Sequence, residues 1–389
     1  MSNPHPRQLR HMALVIALVQ FANALEYMVF NPLFAFMAAD FAVPVSYSGY
    51  VSGLYTAGAV ISGFSAFYWL GWVNKKRFLM LNMGLLGTLT VMATLTQSFG
   101  VLLILRFLAG MIGGTTMGVA IGLLINQTPP DMRGKMLATV IAAFSMVSIA
   151  GMPLILLICT HFGWHLSLNA TGLLCLLAIP LVTLFVPAET SIGYAPAPLT
   201  LSKNTLLFAS ANALVQFSPM LIIPILVPLL TRQMGLTLPL LPWVFLAGGI
   251  AGLLATKITG KLLVHFNSRQ LSVSSTLIFL LSLGMAASGS PLSGLFIVLF
   301  LAASYSRLVV SSAVTISYPS EGQRAQFVAL QTSLMHLATT VAFFLVPLLL
   351  GEDGAAWHLD RLLIIAAVAA LLFPIFIVML QRNQRINHP

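Results

Sequence analysis

Glu26 is the only carboxylate inside a long apolar run, flanked by Leu25 and Tyr27 within residues 13–37. A lone acid at membrane depth costs roughly 2.5–3.5 kcal/mol on insertion scales, so a partner must compensate it or a function must use it. Away from water the charged form of a carboxylate is disfavoured, which makes Glu26 a candidate carrier for a proton. On a helix, Gln20, Asn23, Tyr27 and Asn31 share about one quarter of the circumference, with Glu26 flanking Asn23. Polarity is costly against lipid, so this stripe must face protein or water, where it can contact cargo or simply bond neighbouring helices. Two cations also interrupt apolar runs, Arg106 and Arg307. A guanidinium within reach of Glu26 would stabilise the deprotonated acid and let proton and cargo compete for one site. Arg106 lies about one and a half turns inside its run, close enough to an end to snorkel instead. Arg307 is deeper, among Ser304, Tyr305, Ser306, Ser311 and Ser312, and is a candidate contact for an anionic group of cargo. His336, among Gln331, Ser333, Thr339 and Thr340, could titrate near neutral pH or bind cargo.

The composition sets where these residues must sit. Of 389 residues, 59% are hydrophobic and only 7% charged, and the mean hydropathy is +0.98. That leaves too little polar surface for a soluble globule. A helix needs about 20 residues to cross the hydrocarbon core, so twelve spans fit. The runs place them near 13–37, 48–72, 78–97, 101–126, 136–160 and 166–187, then 204–229, 237–259, 271–289, 293–316, 326–349 and 362–381. The first run is too long for a cleavable signal peptide and is expected to serve as its own insertion signal.

The net charge of +10 reports topology rather than a nucleic-acid partner. With both termini in the cytoplasm, Arg7, Arg10, Lys75, Lys76, Arg77, Arg133, Lys135, Lys203, Lys257, Lys261, Arg269, Arg324, Arg382 and Arg385 fall on that side. Only Arg232 and Arg361 fall in loops opposite. Fourteen against two is a strong positive-inside bias and also suits anionic lipid headgroups. Cys159 and Cys175 match no metal or redox spacing and read as small apolar residues. No His, Cys or acid lies at ligand spacing to His336, and no phosphate-binding Gly loop or nucleophile–base set is present, so neither metal, cofactor nor enzyme is expected.

An internal repeat organises the spans. Ala17-Leu18-Val19-Gln20-Phe21 recurs as Ala213-Leu214-Val215-Gln216-Phe217, and the same offset aligns Pro32 with Pro228. The basic loop at 74–77 corresponds to 267–270, and Pro129 to Arg133 corresponds to Pro319 to Arg324. These matches predict two six-helix bundles, 1–187 and 204–389, joined by a polar cytoplasmic linker at 188–203 and enclosing a central cavity. Parallel repeats of this kind suit rocking around a midplane site. The offset sets Glu26 against Ile222, so only the first half carries the acid, while Gln216 repeats Gln20 as a candidate cargo contact. Gly110, Gly114, Gly118 and Gly122 recur every four residues and predict a smooth face for close helix approach.

The chain resembles the major facilitator superfamily, and within it the twelve-spanner drug:proton antiporter branch that includes sugar-efflux and multidrug-efflux proteins. Leu105-Arg106-Phe107-Leu108-Ala109-Gly110 is similar to the family's fourth-span motif, which implies that Arg106 helps handle the coupling proton. Gly151-Met152-Pro153-Leu154, followed by Phe162-Gly163-Trp164, resembles the fifth-span antiporter motif and implies export. The loop after span two departs from the pattern. With Lys75 and Lys76 on the family's basic pair, Gly71 stands where an acid usually helps latch the cytoplasmic side. Ile155 and His165 also replace the usual Gly and Arg, marking a divergent member.

Together these features predict an all-α polytopic protein of a bacterial inner membrane, a monomer by family resemblance, that exchanges protons for a small amphipathic or polar organic compound. Glu26 and Arg106 would couple the proton. Gln20, Asn23, Tyr27, Asn31, Gln216, Arg307 and His336 would contact cargo. Gly110, Gly114, Gly118, Gly151, Pro153, Lys75, Lys76, Arg133 and Arg324 would gate or pack. The alternatives are proton-coupled uptake of a nutrient or siderophore-like molecule, and a receptor that binds without transporting.

Overall fold

A computed structural model describes residues 6–69, 73–187, 202–315, 318, 324–351 and 358–387. Residues 188–201 of the expected linker, Gly71, and the side chain of Arg324 lie outside the described residues.

All regular structure described is helical. The first half contains α1 (Pro6–Met37), α2 (Ser48–Trp69), α3 (Lys75–Leu95), α4 (Phe99–Gln127), α5 (Pro130–Met146), α6 (Met152–Phe162) and α7 (Trp164–Phe185). The second contains α8 (Lys203–Met220), a single turn α9 (Leu226–Pro228), α10 (Leu241–Leu262), α11 (Ser268–Ala287), α12 (Ser293–Thr315), α13 (Arg324–Leu350) and α14 (Leu359–Asn387). Local chemistry starts and stops them. Asn74 caps α3 by accepting from the Arg77 amide at 3.0 Å, Ser202 caps α8 by accepting from Thr205 at 3.1 Å, and Asn267 with Gln270 forms a capping box on α11. Gly163, at φ 89°, makes the sharp turn from α6 into α7.

Among the described residues, eleven helical stretches are long and apolar enough to cross a membrane. The expected second span is the exception. At 22 residues α2 has the length, but Ser, Gly, Thr and Tyr at many of its positions dilute its hydropathy. Two other spans are interrupted. The fifth runs from α5 through a π-helical turn, Val147–Gly151, into α6, with Pro153 near the start of α6. Pro153 has no N–H to donate to the preceding turn, so the wider turn beside it is where the lost bond is absorbed. The seventh breaks after α8 into a 3₁₀ turn (Ile223–Ile225), α9, and a π-helical turn (Leu229–Gln233). Pro219, Pro224 and Pro228 each remove a donor there, and the Pro224 carbonyl instead accepts from Ser48 Oγ at 2.8 Å. Such irregular backbone is tolerable at membrane depth because Leu221, Ile222, Ile225 and Leu229 are fully buried.

Two compact units result, one from residues 1–41 and 54–195, the other from 42–53 and 196–389. The first turns of α2 therefore group with the second unit. In the first unit α1 packs on α4, α5 and α7, and α3 packs on α4 and α7. In the second unit α8 packs on α12, α13 and α14, and α11 packs on α12 and α14. Counting spans within each half, these are the same five pairings, which is the internal repeat expressed in three dimensions. The first core gathers Ile16, Val19, Met83, Leu86, Leu123 and Val182; the second gathers Phe208, Val215, Val310, Phe373 and Ile377.

Candidate functional site

The first unit buries an ion pair. Glu26 on α1 is 0% exposed and Arg106 on α4 is 1% exposed. Arg106 Nη1 donates to Glu26 Oε1. Thr90 on α3 places its hydroxyl 3.3 Å from the same oxygen while donating to the Leu86 carbonyl at 2.8 Å, so the backbone bond is the stronger of the two. Aromatic rings enclose the guanidinium: its carbon lies 3.8 Å from the Phe30 centroid and 4.5 Å from that of Tyr55. Tyr55 in turn stacks on Tyr27 at 5.0 Å. The ring faces add attraction for the cation, about 2 kcal/mol when desolvated.

The pair is made through one oxygen and one nitrogen only. Glu26 Oε2, Arg106 Nε and Arg106 Nη2 are buried and have no hydrogen-bond partner among the described residues. The same holds for Gln20 Oε1, Asn23 Oδ1 and Asn31 Oδ1 along α1. Burying so many unpaired polar atoms in one bundle is expensive in a purely structural role, since each carries a desolvation cost of about 1–3 kcal/mol. A methyl group added at Gly113 would meet the Tyr55 hydroxyl and lie 3.1 Å from Asn23 Oδ1, so α2, α1 and α4 converge on one polar spot.

Close approach of α2 and α4 sets this geometry. Gly110 leaves room only for the Tyr55 carbonyl of α2, Gly58 faces the Phe107 carbonyl, and a methyl at Gly114 would stand 2.6 Å from Ala59 Cα. The glycine face is shorter than its sequence period implies. Gly118 has nothing within 4 Å, and Gly122 meets only the Lys75 side chain. Gly151, in the π-helical turn, faces Leu25 and Phe21 of α1 at 3.0 and 3.1 Å from an added methyl, just before Glu26.

The basic residues expected to gate sit on helix ends. Lys76 Nζ donates to the Val186 and Thr183 carbonyls at 2.6 and 3.1 Å, satisfying the C-terminus of α7. Arg133 Nε donates to the Thr128 carbonyl at the end of α4, at 3.0 Å. Lys75 is buried. Gln216, Arg307 and His336 belong to the second unit. Gln216 is half-buried. His336 is half-buried too, and its backbone carbonyl accepts from Thr340. Arg307 is 0% exposed, with Nη1 donating to Ser218 Oγ at 2.8 Å and Nη2 to the Ala370 carbonyl at 3.4 Å. Two contributors to the ion-pair site, Thr90 and Tyr55, escape a sequence reading. Their only signal is that each is polar within a helix-length run.

A Major Facilitator Superfamily model matches residues 16–306, three quarters of the chain and all the elements that build the ion pair. The chain belongs to the Major Facilitator Superfamily. Two Bacillus subtilis relatives, both uncharacterized MFS-type transporters, are similar to it: YtbD at 22% identity over 64% of this chain and YbcL at 26% over 53%. The aligned segments span 64% and 56% of those relatives' own lengths. Solved structures share the fold at low identity. A bacterial homolog of the human lysosomal transporter Spinster, inward-facing and occupied, superimposes with a TM-score of 0.77 at 14% identity, covering 97% of this chain and 98% of its own. The nucleoside transporter NupG gives 0.70 at 12%, covering 96% and 99%. Family membership makes this chain a multi-pass membrane protein, and the solved structures share its fold. Among the described residues no cluster of His, Cys, Asp and Glu could hold a metal ion.

Proposed function

We propose that this transporter is proton-coupled through Glu26 and Arg106, and that it exports a small amphipathic or polar organic compound in exchange for protons. The observation that carries this reading is the ion pair itself, fully buried and made through a single oxygen. Protonating Glu26 would remove its charge and leave Arg106 uncompensated, so the two protonation states favour different arrangements of α1, α3 and α4. Gln20, Asn23 and Asn31 contribute amide groups able to bond a polar cargo from the same helix. Export is supported by the antiporter-like fifth span, whose Gly151 ends a π-helical turn beside Phe21 and Leu25, with Pro153 just after it.

In this cycle cargo binds when Glu26 is deprotonated and leaves when a proton returns. A neutral or cationic cargo would compete with the proton and so move against it. Arg106 Nε and Nη2 favour a second reading. An anionic cargo would replace the Glu26 carboxylate on the guanidinium, bind with the protonated acid, and travel with the proton as nutrient uptake does.

Purified protein in proteoliposomes with an imposed pH gradient, screened against cationic, neutral and anionic compounds, separates the readings. Cargo moving against the proton supports export, cargo moving with it supports uptake, and flux indifferent to the gradient contradicts both.

A further inference from the structure

The two halves treat their buried arginine differently. Arg106 and Arg307 each lie on the fourth span of their half and donate to a side chain of the first, Glu26 and Ser218. Arg106 is seven residues from the start of α4 (106 − 99) and Arg307 fourteen from the start of α12 (307 − 293), so Arg307 is about two turns deeper. Arg106 has Glu26. Arg307 has no carboxylate partner among the described residues, and the one acid described in its unit, Asp360, is exposed at the start of α14.

Arg307 lies against two rings and a hydroxyl, and the helices that carry it and its rings hold further hydroxyls one turn away. Phe279 and Phe373 place ring centroids 4.8 and 5.2 Å from its guanidinium carbon. Ser218 Oγ accepts from Nη1, which leaves the hydroxyl hydrogen of Ser218 to donate elsewhere. Arg307 Nε has no partner among the described residues, and neither has Ser311 Oγ, one turn along the same face of α12. Thr276 Oγ1 is likewise unpartnered, and Thr276 lies one turn before Phe279 on α11. Arg307 and Ser311 are 0% exposed and Thr276 is 2% exposed.

A guanidinium buried at membrane depth without a counter-charge is costly, and rings alone offset only part of that cost. Unpaired N–H and hydroxyl groups around a cation are complementary to an acceptor carrying negative charge. We infer that Arg307, Ser218, Ser311 and Thr276 form a binding site for one compact monoanion, a halide or a single carboxylate group, inside the second half. This site is separate from the proton-coupling pair. It gives the second half, where no acid stands beside the buried arginine among the described residues, the negative charge that Glu26 supplies in the first.

The test is thermal unfolding of the purified full chain in detergent, at fixed pH and ionic strength, with chloride, bromide or formate replacing gluconate. A ligand that binds the folded state raises the apparent melting temperature with concentration. The compact anions are expected to raise it by several degrees in the wild type and not in Arg307→Met. Ser311→Ala is expected to increase the half-saturating concentration about tenfold, as loss of one charge-assisted hydrogen bond would. Halides acting without formate identify an inorganic ion; formate acting equally identifies a carboxylate group. If Arg307→Met does not fold, Ser311→Ala and Thr276→Val carry the test through their titration midpoints. No difference between compact anions and gluconate in the wild type, or an unchanged midpoint in these variants, overturns the inference. The readout is stability rather than flux, so its failure leaves the proton-coupled reading to be judged separately.

Discussion

Removing either member of the Glu26–Arg106 pair has a different consequence from removing both. Arg106→Met leaves a buried carboxylate whose one described hydrogen-bond donor is Thr90. Breaking a buried pair from one side typically costs about 3–5 kcal/mol, whereas replacing both charges with apolar groups is close to neutral. Arg106→Met is therefore expected to lower thermal stability strongly, and Glu26→Gln with Arg106→Met to recover much of the loss. A double-mutant cycle in detergent measures this. Additive losses would mean the two charges do not interact. Arg106→Lys is a finer probe, because a compact ammonium cannot reproduce the flat contact with Phe30 and Tyr55. The sequence alone points to Glu26 and Arg106 because charges are conspicuous in apolar runs. Thr90 is not conspicuous, since a threonine in an apolar helix ordinarily bonds its own backbone, as this one also does through Leu86.

Helices position these residues through small contacts, and those contacts discriminate between glycines of similar spacing. Gly110 abuts the Tyr55 backbone, while Gly118 has open space around it. Gly110→Ala is expected to force α2 and α4 apart and to reduce the yield of monodisperse protein sharply. Gly118→Ala is expected to be neutral or to stabilise α4 by up to about 1 kcal/mol, through helix propensity. Size-exclusion profiles and melting curves of the two variants report the contrast; equal damage from both would mean that α4 packs on its whole glycine period. A Lys76→Met substitution leaves the α7 carbonyls of Thr183 and Val186 without their donor. A loss of about 0.3–1 kcal/mol is expected, small enough to separate helix capping from gating. The interrupted spans were partly legible. Pro153, Pro219, Pro224 and Pro228 mark where the backbone must lose bonds, but apolarity alone reads 136–160 and 204–229 as unbroken.

At the scale of the molecule, charge distribution and the repeat carry the prediction. Fourteen cations assigned to one side predict that tags at both termini react with impermeant reagents in inverted vesicles and not in spheroplasts. A terminus labelled from the outside would overturn that topology. The all-helical architecture and the repeated pairing of helices were legible because apolar length and repeated segments are one-dimensional signals. Two features were not. The first turns of α2, a span read from the sequence at 48–72, group with the second unit, which depends on contacts distant in sequence. The partners of Arg307, from Ser218 and the Ala370 carbonyl to the Phe279 and Phe373 rings, likewise depend on packing among α8, α11, α12 and α14. In the proposed cycle Glu26 is the group that couples protons to cargo. The direct measurement compares wild type with Glu26→Gln in proteoliposomes, following cargo counterflow and gradient-driven flux side by side. Counterflow that persists in Glu26→Gln while gradient-driven flux is lost is the expected result. Gradient-driven flux of equal size in both would contradict it and remove Glu26 from the coupling mechanism.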